Sequence, residues 1–223
     1  MSAEKAPVAR SCIDCATRRC GGPAAGPYPA FCVSQAVPAP LRDEAVDRYT
    51  NDEEDRRLAI VSAGVERDGY RRWPRVQETI VFAKRMGYHR IGIATCVGLL
   101  RESRTLAKML RANGFEVYGA GCKVGEIPKE GLGLPCRHPG EMACDPILQA
   151  RLLAEAKVDL NIVVGLCVGH DTLFYKYAVG PTTTLVVKDR VTGHAPAVPL
   201  YQAESYYGDL LAPLPDEDAS PAE

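Results

Sequence analysis

Nine cysteines carry most of the chemistry that this sequence can offer. Cys12, Cys15, Cys20 and Cys32 follow a Cys-x2-Cys-x4-Cys-x11-Cys spacing. Two thiolates three residues apart reach one metal from a single tight turn, and two more complete a tetrahedral site or the corners of a cluster. The spacing does not choose the metal, so an iron–sulfur cluster and a structural zinc are both expectations for this leader. The surrounding segment is rich in Gly and Pro and has almost no apolar periodicity. Such a stretch cannot bury a core of its own, and a metal is the usual agent that orders it.

The other cysteines gain meaning from where they fall. Cys96 closes the run Gly92 to Cys96, Cys122 follows Tyr118 to Gly121, and Cys167 follows Val163 to Leu166. Each lies at the expected carboxyl end of a strand. Open α/β sheets bind ligands outside that edge, where strand order reverses. Cys136 and Cys144 belong to a long Gly- and Pro-rich loop over 121–144 that must cross the same edge. Cys96 and Cys167 each precede an expected helix, whose first N–H groups favour a thiolate. One such cysteine alone is better explained as a small core residue. Three at one edge point to a site, with Cys96, Cys122 and Cys167 joined by Cys144 or Cys136. The occupant expected there is an iron–sulfur cluster, 4Fe-4S, giving one or two clusters in the chain. Its role would be electron transfer or activation of a substrate at an open iron position.

Two rivals use the same residues differently. In a thiol-dependent enzyme Cys96 or Cys167 attacks, His170 acts as base, and the leader holds zinc. In a non-catalytic module the cysteines store or deliver metal. Lys188 and Arg190 follow the last expected strand, and Arg101 and Arg104 follow Cys96. Such cations suit the negative charge of a cluster or an anionic substrate. Each is also compatible with a solvated surface, and His194 with a hydrogen-bonded loop.

The elements that must position these groups are legible from pattern. Leu58, Val61 and Val65 predict a helix with Asp52 as N-cap, and Val76, Ile80 and Ala83 another that ends near Gly87. Arg90–Thr95 reads as a strand. Leu99, Ser103, Leu106 and Leu110 line a helix that stops at Asn113 and Gly114. Phe115–Ala120 is a second strand. Asp145 and Pro146 open a helix carrying Leu148, Leu152 and Ala156. Leu160–Gly165, a helix over 168–178, and Thr183–Lys188 complete the alternation. Strand and helix in turn imply right-handed crossovers and a parallel sheet. The fold expected is a three-layer α/β/α sandwich with a mostly parallel, Rossmann-like sheet of order 2-1-3-4. The expected division is 1–10 disordered, 11–40 the Cys-rich leader, 41–205 the α/β domain, and 206–223 an acidic, disordered tail.

Lys and Arg number 27 against 28 Asp and Glu. That balance gives no basic surface for nucleic acid. The basic stretch from Arg71 to Arg75 reads as a helix entry. No apolar run is long enough to cross a bilayer, and Met1 to Arg10 hold no signal-peptide core. A cytoplasmic protein with reduced thiols is the expectation, meeting a redox partner protein or a small-molecule substrate, and able to form a homodimer. There is no phosphate-binding Gly-x4-Gly-Lys-Ser/Thr, no Gly-x-Gly-x2-Gly after the first strand, and no nucleophile elbow.

Three segments together resemble one family. They are the leader Cys-x2-Cys-x4-Cys, the segment from Gly165 through Cys167 to Asp171, and that from Val187 through Lys188 to His194. The resemblance, over roughly 11–201, is to uncharacterised, predicted metal-binding proteins of bacteria and archaea. It implies metal binding through cysteine and no particular activity.

Overall fold

A computed structural model describes residues 10–17, 19–22 and 27–213. Of the ends expected to be disordered, 1–10 and 206–223, residues 1–9 and 214–223 lie outside the described residues, while 206–213 are described and include a 3-10 turn at Gly208–Leu211. The chain divides into two compact units between Ile60 and Val61.

The first unit holds short 3-10 turns at Cys12–Asp14 and Arg19–Gly21, then α1 (Val33–Ala36) and α2 (Ala39–Asn51). None of its described residues is buried. This agrees with a leader that has no hydrophobic core to order it. The division falls inside α3 (Glu53–Gly69). Asp52 caps α3 as expected, its carboxylate accepting from the Asp55 N–H at 3.0 Å.

The second unit contains α4 (Arg75–Met86), β1 (Arg90–Thr95), α5 (Leu100–Ala112), β2 (Glu116–Gly121), α6 (Pro146–Glu155), β3 (Leu160–Val164), α7 (His170–Tyr177), β4 (Thr182–Val186) and α8 (Val198–Tyr201). The four strands form one parallel sheet in the order β2-β1-β3-β4. Alternation of side chains divides the core into two faces. Ile91, Ile93, Leu160, Ile162 and Val164 pack with Ala83, Leu106 and Leu110 on one side. Ala94, Ala120 and Val163 pack with Ala150, Leu153 and Phe174 on the other. The three-layer α/β/α sandwich expected from the pattern is the fold observed. Among the described residues no helix is long and apolar enough to cross a membrane.

Several boundaries differ: β2 is Glu116–Gly121 where Phe115–Ala120 is expected, the helix expected over 168–178 is His170–Tyr177, and two others differ for local reasons. The third strand stops at Val164 because Gly165 turns into the left-handed region, with φ +67°. The last strand begins one residue early and ends at Val186, after a register shift between Val163 and Val164 on its neighbour. The basic stretch from Arg71 to Arg75 is structural at its end: Arg75 donates to the Thr184 carbonyl at 2.8 Å and to the Thr183 hydroxyl at 3.0 Å, tying α4 to β4.

Candidate functional site

The carboxyl edge of the sheet is built by strand ends that the backbone locks in place. The Cys96 N–H continues the ladder to the Val164 carbonyl at 3.3 Å, and the Leu99 N–H returns to the Cys96 carbonyl at 2.9 Å. The Thr95 hydroxyl receives a hydrogen bond from Ser103 at 2.7 Å, which fixes α5 to the end of β1. The Asp145 N–H donates to the Cys122 carbonyl at 2.8 Å, so the start of α6 is tied to the end of β2. Asp145 also caps α6, accepting from the Leu148 N–H at 2.8 Å. His170 and Asp171 donate their N–H groups to the Cys167 carbonyl at 2.9 and 3.0 Å, which starts α7.

Sequence reasoning missed Gln149. It is fully buried on α6 and its amide donates to the Thr95 carbonyl at 3.1 Å and the Ala120 carbonyl at 2.7 Å. One side chain thus clamps the ends of β1 and β2 beside Cys96 and Cys122. Its Oε1 has no partner among the described residues. The only sequence signal is a lone amide among apolar helix neighbours.

The long loop brings Cys144 back to Cys122. Pro128 and Met142 pair as an antiparallel bridge, and the Ala143 N–H donates to the Ile127 carbonyl at 2.7 Å. Glu141 is the buried pin. It accepts from the Arg137 guanidinium at 2.7 Å, the Arg137 N–H at 2.8 Å and Lys129 Nζ at 3.1 Å. These partners, Arg137 first, hold its carboxyl well below the usual carboxylate range.

The sulfurs then form a chain. Cys122 Sγ lies 3.7 Å from Cys144 Sγ and accepts from the Val97 N–H at 3.4 Å. Lys188 Nζ donates to Cys96 Sγ at 3.0 Å. Arg190 donates to Cys167 Sγ at 3.0 Å. The bond shared with Cys144, then burial, push the Cys122 thiol up. The same bond lowers Cys144 to about 5, against burial and with help from Lys123 and His170. Cys122 keeps the proton because it is the more buried of the two. Burial raises Cys96, but the Lys188 ammonium and the Gly98 N–H outweigh it and leave it lowered. Along the edge a raised thiol, Cys122, thus stands between two lowered ones, Cys96 beside Lys188 and Cys144 near Lys123.

Of the residues expected at this site, Cys96, Cys122 and Cys144 are brought together. Cys167 stands at the same edge with Arg190, and Lys188 is bound to Cys96. Cys136 is exposed and no hydrogen bond joins it to the others. His170 acts through its charge on Cys144, and no hydrogen bond connects its ring to Cys96 or Cys167 among the described residues. His194 holds a loop: its Nδ1 accepts from the Asp189 N–H at 3.1 Å. The sulfurs do not close into a shell. Among the described residues no three His, Cys, Asp or Glu side chains stand as a group able to hold a metal ion.

The leader cysteines form a separate place in the first unit. Cys12, Cys15, Cys20 and Cys32 all line one small cavity of about 150 Å³ with Phe31. Cys15 Sγ lies 3.3 Å from the Thr17 hydroxyl.

A family model described as a protein of unknown function, DUF1847, matches residues 32–185. That span includes Cys32 and the five cysteines of the sheet domain and begins after Cys12, Cys15 and Cys20. An uncharacterised protein of Methanocaldococcus jannaschii is 48% identical over 163 residues, covering 72% of this chain and 83% of its own length. No solved structure matches the chain.

Proposed function

We propose that this chain, which belongs to the DUF1847 family of proteins of unknown function, is a thiolate-ligated metalloprotein with its working centre at the carboxyl edge of the sheet. What carries the reading is the convergence of Cys96, Cys122 and Cys144 from β1, β2 and the returning loop. Cys122 and Cys144 are 3.7 Å apart. A lone nucleophile needs one thiolate and one base, whereas this edge gathers three cysteines from three separate segments. Cys167 supplies the fourth sulfur. Lys188, Arg190 and Lys123 offset the charge that a thiolate centre accumulates. Completing the shell asks Cys96 and Cys167 to exchange their cation partners for the metal.

The occupant proposed is a 4Fe-4S cluster serving electron transfer or substrate activation. The leader, with Cys12, Cys15, Cys20 and Cys32 around one cavity, is the second metal site. A specific distance favours zinc as the second reading. Tetrahedral Zn–S bonds of about 2.3 Å set two sulfurs about 3.8 Å apart, close to the spacing of Cys122 and Cys144. Reduced thiols fit a cytoplasmic protein, and an electron-transfer role implies a redox partner.

Purification without oxygen, followed by iron, zinc and acid-labile sulfide analysis and a visible spectrum, tests this. Iron with sulfide and broad visible absorption is the expected result. Zinc without sulfide moves the assignment to the second reading. No metal, even after anaerobic reconstitution, removes both.

A further inference from the structure

We propose that the cleft between α5 and the outer part of the sheet binds a small organic anion with a short apolar body. The cleft holds about 340 Å³. That lies within the ~300–1,000 Å³ range of small-molecule pockets. Ile93, Leu100, Ala107 and Val117 supply apolar wall. Gly119 and Gly121 of β2 form the floor.

These two glycines are not required by the backbone or by packing. Neither has a left-handed φ. A Cβ added at Gly119 would come no closer than 3.8 Å to the Ile93 carbonyl oxygen, and one at Gly121 no closer than 3.9 Å to Val97. Both distances are ordinary van der Waals contacts. Glycine weakens a strand and leaves nothing to pack. Two of them on the same face keep open a space that side chains could have filled, and an occupant explains that space.

The rim names the occupant's charge. Arg104, Lys108 and Arg111 also line the cleft, at i, i+4 and i+7 on one face of α5. Like charges so placed repel. Among the described residues none of the three is in an ion pair. Arg111 makes only a 3.4 Å bond to the Val117 carbonyl. A carboxylate, sulfonate or phosphate relieves this repulsion while its apolar portion covers the glycine floor. The cleft reaches Thr95 and Gly121, the residues just before Cys96 and Cys122. One end of the cleft therefore opens toward the sheet edge that carries the cysteines. Binding does not depend on metal, because no cysteine lines the cleft.

The probe is 1-naphthalenesulfonate, with neutral 1-naphthol as its uncharged counterpart, titrated into the full chain by calorimetry at pH 7.5. The sulfonate is expected to bind one site per chain, and more tightly than the naphthol. Replacing Arg104→Ala together with Lys108→Ala should weaken the sulfonate about tenfold or more and leave the naphthol nearly unchanged. Gly119→Leu should abolish both, with the denaturation midpoint showing that the variant folds. Equal binding of the two probes overturns the proposal, as does sulfonate binding that survives Gly119→Leu or the double substitution. Absence of sulfonate binding in a dimer that Gly119→Leu dissociates also overturns it, and assigns the face to a second copy.

Discussion

In the reduced, metal-free chain, Cys144 should alkylate with an inflection near pH 5, followed peptide by peptide with iodoacetamide and mass spectrometry. The hydrogen bond shared with Cys122 is the first cause of its lowered pKa, to about 5. At pH 6 this raises the thiolate population about 300-fold over an ordinary thiol near ~8.5. A less basic thiolate is a weaker nucleophile, which takes back roughly 30-fold. The net rate at pH 6 should be about ten times that of an ordinary cysteine. The inflection is the more decisive readout. Cys122→Ala removes the partner sulfur and should move it up toward the ordinary thiol range, whereas Lys123→Met should move it less. An inflection unchanged by Cys122→Ala would mean that the two sulfurs do not share a proton. The sign for folding follows from linkage: Cys144 has a lowered folded pKa, so its contribution to stability is present above the unfolded value and fades as pH falls through about 5.

Gly165→Ala should cost about 2–4 kcal/mol of stability, from positive-φ strain together with overpacking. Gly165 has φ +67°, and an added Cβ would clash with Leu99 Cδ1. Leu99 is only 1% exposed and has little room to retreat. The turn at Gly165 also directs Leu166 and Cys167 off the end of β3, so the same substitution should disturb the contact between Cys167 and Arg190. Urea denaturation measures the cost. In a Leu99→Ala background the clash disappears and the strain remains, so the two substitutions should couple by about 1–2 kcal/mol. A cost under about 0.5 kcal/mol, typical of surface changes, would show that the turn is not constrained.

Much of the scaffold was legible because it depends on local pattern. Arg90–Thr95 is a run of small and β-branched residues between helical stripes, and it forms β1 as expected. Asp145 followed by Pro146 caps and opens α6. Alternation and right-handed crossovers make a parallel sheet readable, and the order β2-β1-β3-β4 is one of those they allow. The pattern reads Gly165 as a strand end rather than a left-handed turn, because one glycine carries no sign of which conformation it adopts. The loop over 121–144 presents Cys136 and Cys144 with nothing in its composition to separate them. Its path is set by Glu141 meeting Arg137 and Lys129, a three-residue contact that only three-dimensional structure reveals. Gln149 was invisible for a related reason: its partners are backbone carbonyls on β1 and β2, which have no sequence signature. Arg104 was noticed near the edge, but its shared face with Lys108 and Arg111 mattered only once β2 proved to be glycine-floored.

The central claim is that a metal centre sits on the thiolates of the sheet edge. Its most direct test is the metal content of the full chain carrying Cys122→Ala and Cys144→Ala, purified without oxygen beside the parent. A centre at that edge predicts that the pair of substitutions removes one site's worth of metal, and its sulfide if iron is present, while the leader retains its own. Metal and sulfide content equal to the parent's would contradict it.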